Sequence, residues 1–168
     1  MEVLCRLSYS GGIGDDSNVV LRAFVAALIV VLVACSKSSS PIGDVVSFTR
    51  DGGGATRLEV RVADSDEERS RGLMDVPELA QDAGMAFVWT EPTTSEFWMK
   101  NTLIPLSVAF VGEDGRIVTI RDMQPCTADP CPMYGATDPY VLAIEANLGY
   151  YDEHDIAIGD RAVLREGA

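Results

Sequence analysis

The chain has 168 residues, 47% of them apolar, which gives room for one domain with a real core and argues against disorder as its main state. A formal net charge of −13 and an isoelectric point near 4.3 exclude a surface of clustered Lys and Arg that would track phosphates, so nucleic acid is set aside as a partner. Acidity of this kind keeps a protein soluble and repels anionic surfaces without identifying what it binds.

Near the start, Arg22 is followed by twelve apolar residues, Ala23 to Ala34, and then by Cys35 in Leu32-Val33-Ala34-Cys35. Twelve residues suit the apolar segment of a signal peptide and fall short of the roughly 20 that span a bilayer. The small residue before the cysteine and the abrupt change at Ser36 to a Ser-rich stretch resemble the lipobox of bacterial lipoproteins. That resemblance implies cleavage before Cys35, diacylation of its sulfur and export to the cell envelope. The anchored protein would sit at the outer face of the membrane or in the periplasm. A plain signal peptide or a short buried helix is the alternative, and the sharp polar switch speaks against both. The distance from Met1 to Cys35 is long for such a leader, and a start near Val19 or Val20 would leave residues 1–18 untranslated. Residues 1–34 are therefore read as signal peptide, 35–44 as a Ser-rich tether and 45–168 as the folded domain. Only Glu2, Asp15 and Asp16 against Arg6 and Arg22 leave with the leader, so the remainder stays strongly acidic.

In the domain, Leu58, Val60 and Val62 alternate with Arg57, Glu59 and Arg61, the period of a half-buried strand. Ser65 and Glu68 have capping-box spacing and predict a short helix from about Asp66 to Arg71, stopped at Gly72. "GMAFVW" and "SEFWM" are two more apolar runs, separated by a turn at Pro92. "LSVAFVGEDGRIVTIRDM" reads as a hairpin with Glu113-Asp114-Gly115 as its turn. A Pro-rich loop over roughly 124–139 holds four of the eight prolines. "YVLAIEA" is a strand, "GYYDEHD" a short helix or turn, and "DRAVLR" a last strand. Short strands, regular turns and one or two short helices predict a mainly β, antiparallel sandwich or barrel.

Cys5 falls in the leader and Cys35 is the lipidation site, which leaves Cys126 and Cys131 as a pair in an exported protein. We read them as a disulfide closing the Pro-rich loop. A redox-active pair is the lesser reading because the spacing is not Cys-x-x-Cys, and zinc would lack four ligands. The single histidine, His154, would have to serve any Ser-His-Asp or Cys-His arrangement, and a lone surface histidine is the simpler reading. Gly52-Gly53-Gly54 lacks the context of a phosphate loop, and "DSDEER" has Arg69 where a calcium loop needs glycine. No metal ligand set or cofactor is expected. Met74, Met85, Met99, Met123 and Met133 could in principle handle copper, but one methionine per segment points to packing.

The most informative stretch is "EFWMKNTLIPL", residues 96–106. If Phe97 and Met99 face the core, strand alternation puts Trp98, Lys100 and Thr102 together on the other face, a platform for a sugar or a small anion. The competing reading has the sheet covered on both sides, with Trp98 in the core and Lys100 reaching out.

"RSRGLM", "GMAFVW", "FWMKNTLIPLSVAFV", "GRIVTI", "PCTADPCPMYG" and "YVLAIEANLG" are similar to the successive motifs of the family called domain of unknown function 192, over about Leu58 to Leu164. The resemblance implies a compact, jelly-roll-like β domain, often exported, with no catalytic residue to carry over. The chain departs from the family pattern at Ser107, where an aspartate is usual, and at Asp75-Val76, where basic or aromatic residues are. The expected function is non-enzymatic binding of a small polar ligand or an envelope partner, with Trp98, Lys100, Asn101 and Thr102 lining the site together with Arg71 and Tyr134 beside Met133. An enzyme using carboxylates in a cleft at the same wall is the alternative, and copper handling through methionine a third.

Overall fold

A computed structural model describes residues 43–167, and the leader, Cys35 and nearly all of the tether lie outside the described residues. Nine strands and two short helices follow in order: β1 (Asp44–Thr49), β2 (Ala55–Ala63), α1 (Asp66–Arg71), β3 (Ala83–Thr93), β4 (Phe97–Trp98), β5 (Leu106–Val111), β6 (Ile117–Met123), β7 (Met133–Tyr134), β8 (Tyr140–Asn147), α2 (Tyr150–Glu153) and β9 (Arg161–Arg165). Seven strands form one sheet in the order β6-β5-β8-β3-β2-β1-β9, and β4 pairs with β7 in a small separate ladder. The sheet curls until its edges meet. Arg116 bridges Arg161, and the Ala162 and Ile117 amides donate to the Gly115 and Asp160 carbonyls at 2.9 Å each. The expected barrel-like β domain is what forms.

One pairing departs from the antiparallel pattern: β2 and β3 run parallel, with Val60 opposite Gly84. A parallel neighbour needs a crossover, and residues 64–82 supply it through α1. That helix starts as its sequence predicts. Glu68 N–H donates to Ser65 Oγ at 3.3 Å, and Ser65 N–H donates back to Glu68 Oε2 at 3.2 Å. The Ser65 hydroxyl and the amides of Ser65 and Asp64 hold the Glu68 carboxyl below its ordinary range. The helix ends at Gly72, whose φ of 48° disfavours side chains with a Cβ, and a Cβ there would press on Phe87.

Both faces of the sheet are covered, which is why β5 is buried at all six positions and reads as a continuous apolar run. Inside the curl, Val46, Phe48, Leu58, Ile144 and the α2 tyrosines Tyr150 and Tyr151 pack together. On the outer face, Met85, Phe87, Val108, Phe110 and Ala143 are covered by Leu73 and Met99 from the crossover and from the segment after β4. Close passage of β3 and β8 depends on Gly84, where any Cβ would overlap the Glu145 carbonyl and the Leu58 side chain.

Candidate functional site

The outer layer leaves a cleft of about 340 Å³ over β3 and β8. One wall is α1 and the residues after it, with Asp66, Arg69, Arg71, Leu73 and Met74; the other belongs to the segment Ser95–Thr102, which lines the cleft through Ser95 to Trp98 and through Thr102. Phe87 and Trp89 of β3 lie along it. Both walls are fixed from below. Arg69 Nη1 donates to the Val88 carbonyl at 2.7 Å and its guanidinium sits 5.4 Å from the Trp89 ring centre, which ties α1 to β3. The Tyr140 hydroxyl donates to the Ser95 carbonyl at 2.7 Å, and Phe97 meets Phe87 edge-on at 5.0 Å between ring centres. At one end the walls are joined, because the Asp75 amide donates to the Asn101 carbonyl at 2.9 Å.

Glu145 of β8 also lines this cleft. It is 4% exposed, and its Oε2 is buried without a hydrogen-bond partner. Its strand neighbours are Met85 on β3 and Val108 on β5, so nothing on the sheet can serve it. Burial pushes its carboxyl up to about 8, leaving it predominantly protonated at neutral pH. A buried acid without a partner is costly, and the cleft is the open space that this one lines. Thr102, 7% exposed, lines the same cleft.

Of the residues singled out in the sequence, Trp98, Thr102 and Arg71 come together here. Lys100, Asn101 and Tyr134 do not line the cleft. The Lys100 ammonium lies 5.6 Å from the centre of the Trp98 ring and 3.3 Å from Asp129 Oδ2 on the disulfide loop. Tyr134 pairs with Phe97 from β7, and its hydroxyl accepts from the Gln124 amide at 3.4 Å. Asn101 has φ 57° and forms the corner after Lys100. Alternation holds as far as that corner: Met99 is fully buried and Trp98 is 46% exposed. The left-handed residue then breaks it, so Thr102 turns inward where a continuous strand would have kept it beside Trp98 and Lys100. Trp98 is thus an exposed rim, although the sheet is covered on both sides.

Glu145 was not among the sequence candidates, because "YVLAIEA" was read only as a strand. The available signal was its position, a lone acid among Leu142, Ala143, Ile144 and Ala146. Ser107 faces elsewhere. It is buried beside a second hollow, donates to Asp122 Oδ1 at 2.6 Å and accepts from the Gly149 amide at 2.9 Å. Cys126 and Cys131 are disulfide-bonded, as expected. Met85, Met99 and Met123 are buried in the outer cluster, while Met133 is 51% exposed. Among the described residues, no group of three or more His, Cys, Asp or Glu side chains gathers as a metal site, and no helix is long and apolar enough to cross a membrane.

Solved structures share this architecture. A protein from Sinorhizobium meliloti 1021 described as a candidate transcription regulator is 30% identical, with a TM-score of 0.67 over 72% of this chain and 92% of its own. A protein of unknown function from Novosphingobium aromaticivorans DSM 12444 is 31% identical, with a TM-score of 0.65 over 71% of this chain and 83% of its own. No functionally curated protein matches. Residues 46–164 match the family DUF192, described as Uncharacterized ACR, and the chain belongs to that family.

Proposed function

We propose that the domain is a non-enzymatic binding module whose cleft takes one small polar ligand. The observation that carries this reading is the Glu145 Oε2, buried and without a partner in the lining of the cleft. A ligand group hydrogen-bonded there would recover what folding leaves unmade. Trp98 at the rim offers an amphipathic ring, Phe87, Trp89 and Phe97 offer apolar contact, and Thr102 and Arg71 offer polar contact, the usual mix for a small-molecule site. In this proposal a lipid on Cys35 holds the module in the cell envelope. The regulator description of the Sinorhizobium protein is not extended to this chain, since a net charge of −13 sets it against a phosphate-tracking surface.

The raised Glu145 carboxyl also favours a second reading, in which it acts as general acid and Asp66 or Glu96, which line the same cleft, acts as the second carboxylate. A panel of small metabolites and sugars, screened against the full chain by ligand-observed NMR, tests both. The binding reading expects a ligand that binds at least about tenfold more weakly to Glu145→Gln and is recovered unchanged. Recovery of a converted ligand would favour the enzyme. Ligands indifferent to both Glu145→Gln and Trp98→Ala would remove the cleft from consideration.

A further inference from the structure

The ligand class of this cleft can be narrowed, on the reading that the cleft is a binding site. Glu145 faces it with an oxygen that no protein donor reaches, and it is the one charged-type side chain lining the cleft that is buried. The basic groups at the cleft are occupied or peripheral. Arg69 donates to the Val88 carbonyl and to Asp66 Oδ1, so its charge is already matched, and Arg71 is exposed on α1. Asp66 on α1 and Glu96 ahead of β4 are the other charged lining groups, and both are exposed. From the strands packed beside Glu145, β3 presents Met85 and β5 presents Val108, neither of which titrates. Behind β8, the Tyr151 phenol is committed to the Ile144 carbonyl at 2.6 Å. Asp66 and Glu96 are thus balanced in number by Arg69 and Arg71, which leaves Glu145 as the acid at the cleft without a basic counterpart, and the whole chain carries −13, a field that concentrates cations.

The walls suit the same charge. Phe87, Trp89, Phe97 and Trp98 all line the cleft, and the two indoles already hold protein cations, Arg69 over Trp89 and Lys100 over Trp98. Aromatic rings next to a buried carboxyl form the surroundings in which an organic cation is bound by ring faces and by a counter-charge together.

We infer that the cleft recognises an organic ammonium group, inserted between the α1 wall and the Ser95–Thr102 wall so that its N–H donors meet the unpartnered oxygen of Glu145. The proton balance follows from the two partners. The ammonium arrives charged, Glu145 enters the complex as carboxylate, and the proton it carried in the empty cleft passes to the buffer.

Three probes of one shape and different heads test this: 2-phenylethylamine, 2-phenylethanol and 3-phenylpropionate, titrated calorimetrically into the full chain in buffers of different ionisation enthalpy. The amine is expected to bind tightest and to release close to one proton per site at neutral pH. Its affinity should rise about tenfold per pH unit below pH 8 and level off above it. Glu145→Gln should lower that affinity at least about tenfold and abolish the proton release. Amine binding that ignores pH, or that survives Glu145→Gln, overturns the inference, as does the absence of amine binding. Preferred binding of the alcohol or the carboxylate, lost in Glu145→Gln, overturns the ammonium while leaving the cleft as a binding site. Binding by none of the three, together with no hit from the wider metabolite panel, removes both.

Discussion

The Asp75 amide donates to the Asn101 carbonyl at 2.9 Å, and both residues hold left-handed backbones, with φ of 61° and 57°. These two corners join the walls of the cleft, one after Gly72 and one after Lys100. Asn101 was expected to contact ligand, whereas its evident work is conformational, since asparagine tolerates a positive φ better than most residues. Asn101→Gly should therefore fold with stability within about 0.5 kcal/mol of the parent, while Asn101→Val should cost about 1–2 kcal/mol or more. Urea denaturation of both variants checks this. Equal stability of the two would mean that the corner is not strained.

Glu145 makes stability depend on pH. Its folded carboxyl titrates near 8, against 4.5 for the free group, because burial disfavours its charge. Between those values the folded chain keeps a proton that the unfolded chain releases, so the neutral group's advantage is complete below about pH 4.5 and drains away as pH rises toward 8. The full loss is on the order of 3–5 kcal/mol. Glu145→Gln removes the term, so the variant should gain on the parent steadily from pH 5 to pH 8 in paired thermal melts. A constant difference between the two across that range would show that the carboxyl titrates normally.

Trp98 and Met99 are adjacent and should behave oppositely. Trp98 is 46% exposed and Met99 fully buried in the outer cluster. Trp98→Ala should cost less than about 1.5 kcal/mol while weakening ligand binding, whereas Met99→Ala should cost about 2–5 kcal/mol. Lys100→Ala removes a half-exposed ion pair to Asp129 and a contact with the Trp98 ring, and should cost at most about 1 kcal/mol. Denaturant titration with a binding assay on each variant separates rim from core. A loss of about 3 kcal/mol or more for Trp98→Ala would make that indole architecture after all.

Much of this domain is legible in the sequence where local physics decides the outcome. The capping box at Ser65 and Glu68, the stop at Gly72, the turn at Glu113-Asp114-Gly115 and the alternation of Leu58, Val60 and Val62 all rest on contacts a few residues apart. What could not be read depends on distant partners. β1 was not singled out as a strand, and its pairing to both β2 and β9 is long-range. The parallel β2–β3 pair follows from how the crossover packs on the outer face. Glu145 was hidden because alternation gives parity and does not say whether the second face is covered; here Leu73, Met99 and their neighbours cover it. Lys100 was placed at the site by strand parity and Tyr134 with the disulfide loop, yet neither lines the cleft: Lys100 is drawn to Asp129, and Tyr134 is held opposite Phe97 by the β4–β7 ladder.

The lipid anchor proposed at Cys35 is tested separately from the fold. Cys35→Ser should move the protein from the membrane pellet to the soluble fraction and block incorporation of radiolabelled palmitate, while the domain retains the parent melting temperature. Continued sedimentation of the variant with membranes would point to an uncleaved apolar segment as the tether.

The disulfide loop is expected to matter through the wall it touches. Cys126 N–H donates to the Met99 carbonyl at 3.2 Å, Lys100 bridges Cys126, and β7 beyond Cys131 pairs Met133 with Trp98 and Tyr134 with Phe97. Cys126 and Cys131 are five positions apart, so the chain entropy removed by closing the loop corresponds to about 2 kcal/mol. That loss in Cys126→Ser/Cys131→Ser should be accompanied by faster hydrogen exchange, relative to the intrinsic rate, at the position-126 amide that donates to the Met99 carbonyl, and by weaker ligand binding, because the Ser95–Thr102 wall loses its outer support. The sheet beneath is held independently by β3, β5 and β8, so exchange at Ala86 and Ile144 should change little. If stability falls by about 2 kcal/mol with exchange at position 126 and binding unchanged, the disulfide acts only on the unfolded chain. The wall then owes its position to the Asp75–Asn101 and Tyr140–Ser95 hydrogen bonds and to the packing of Phe97 and Met99.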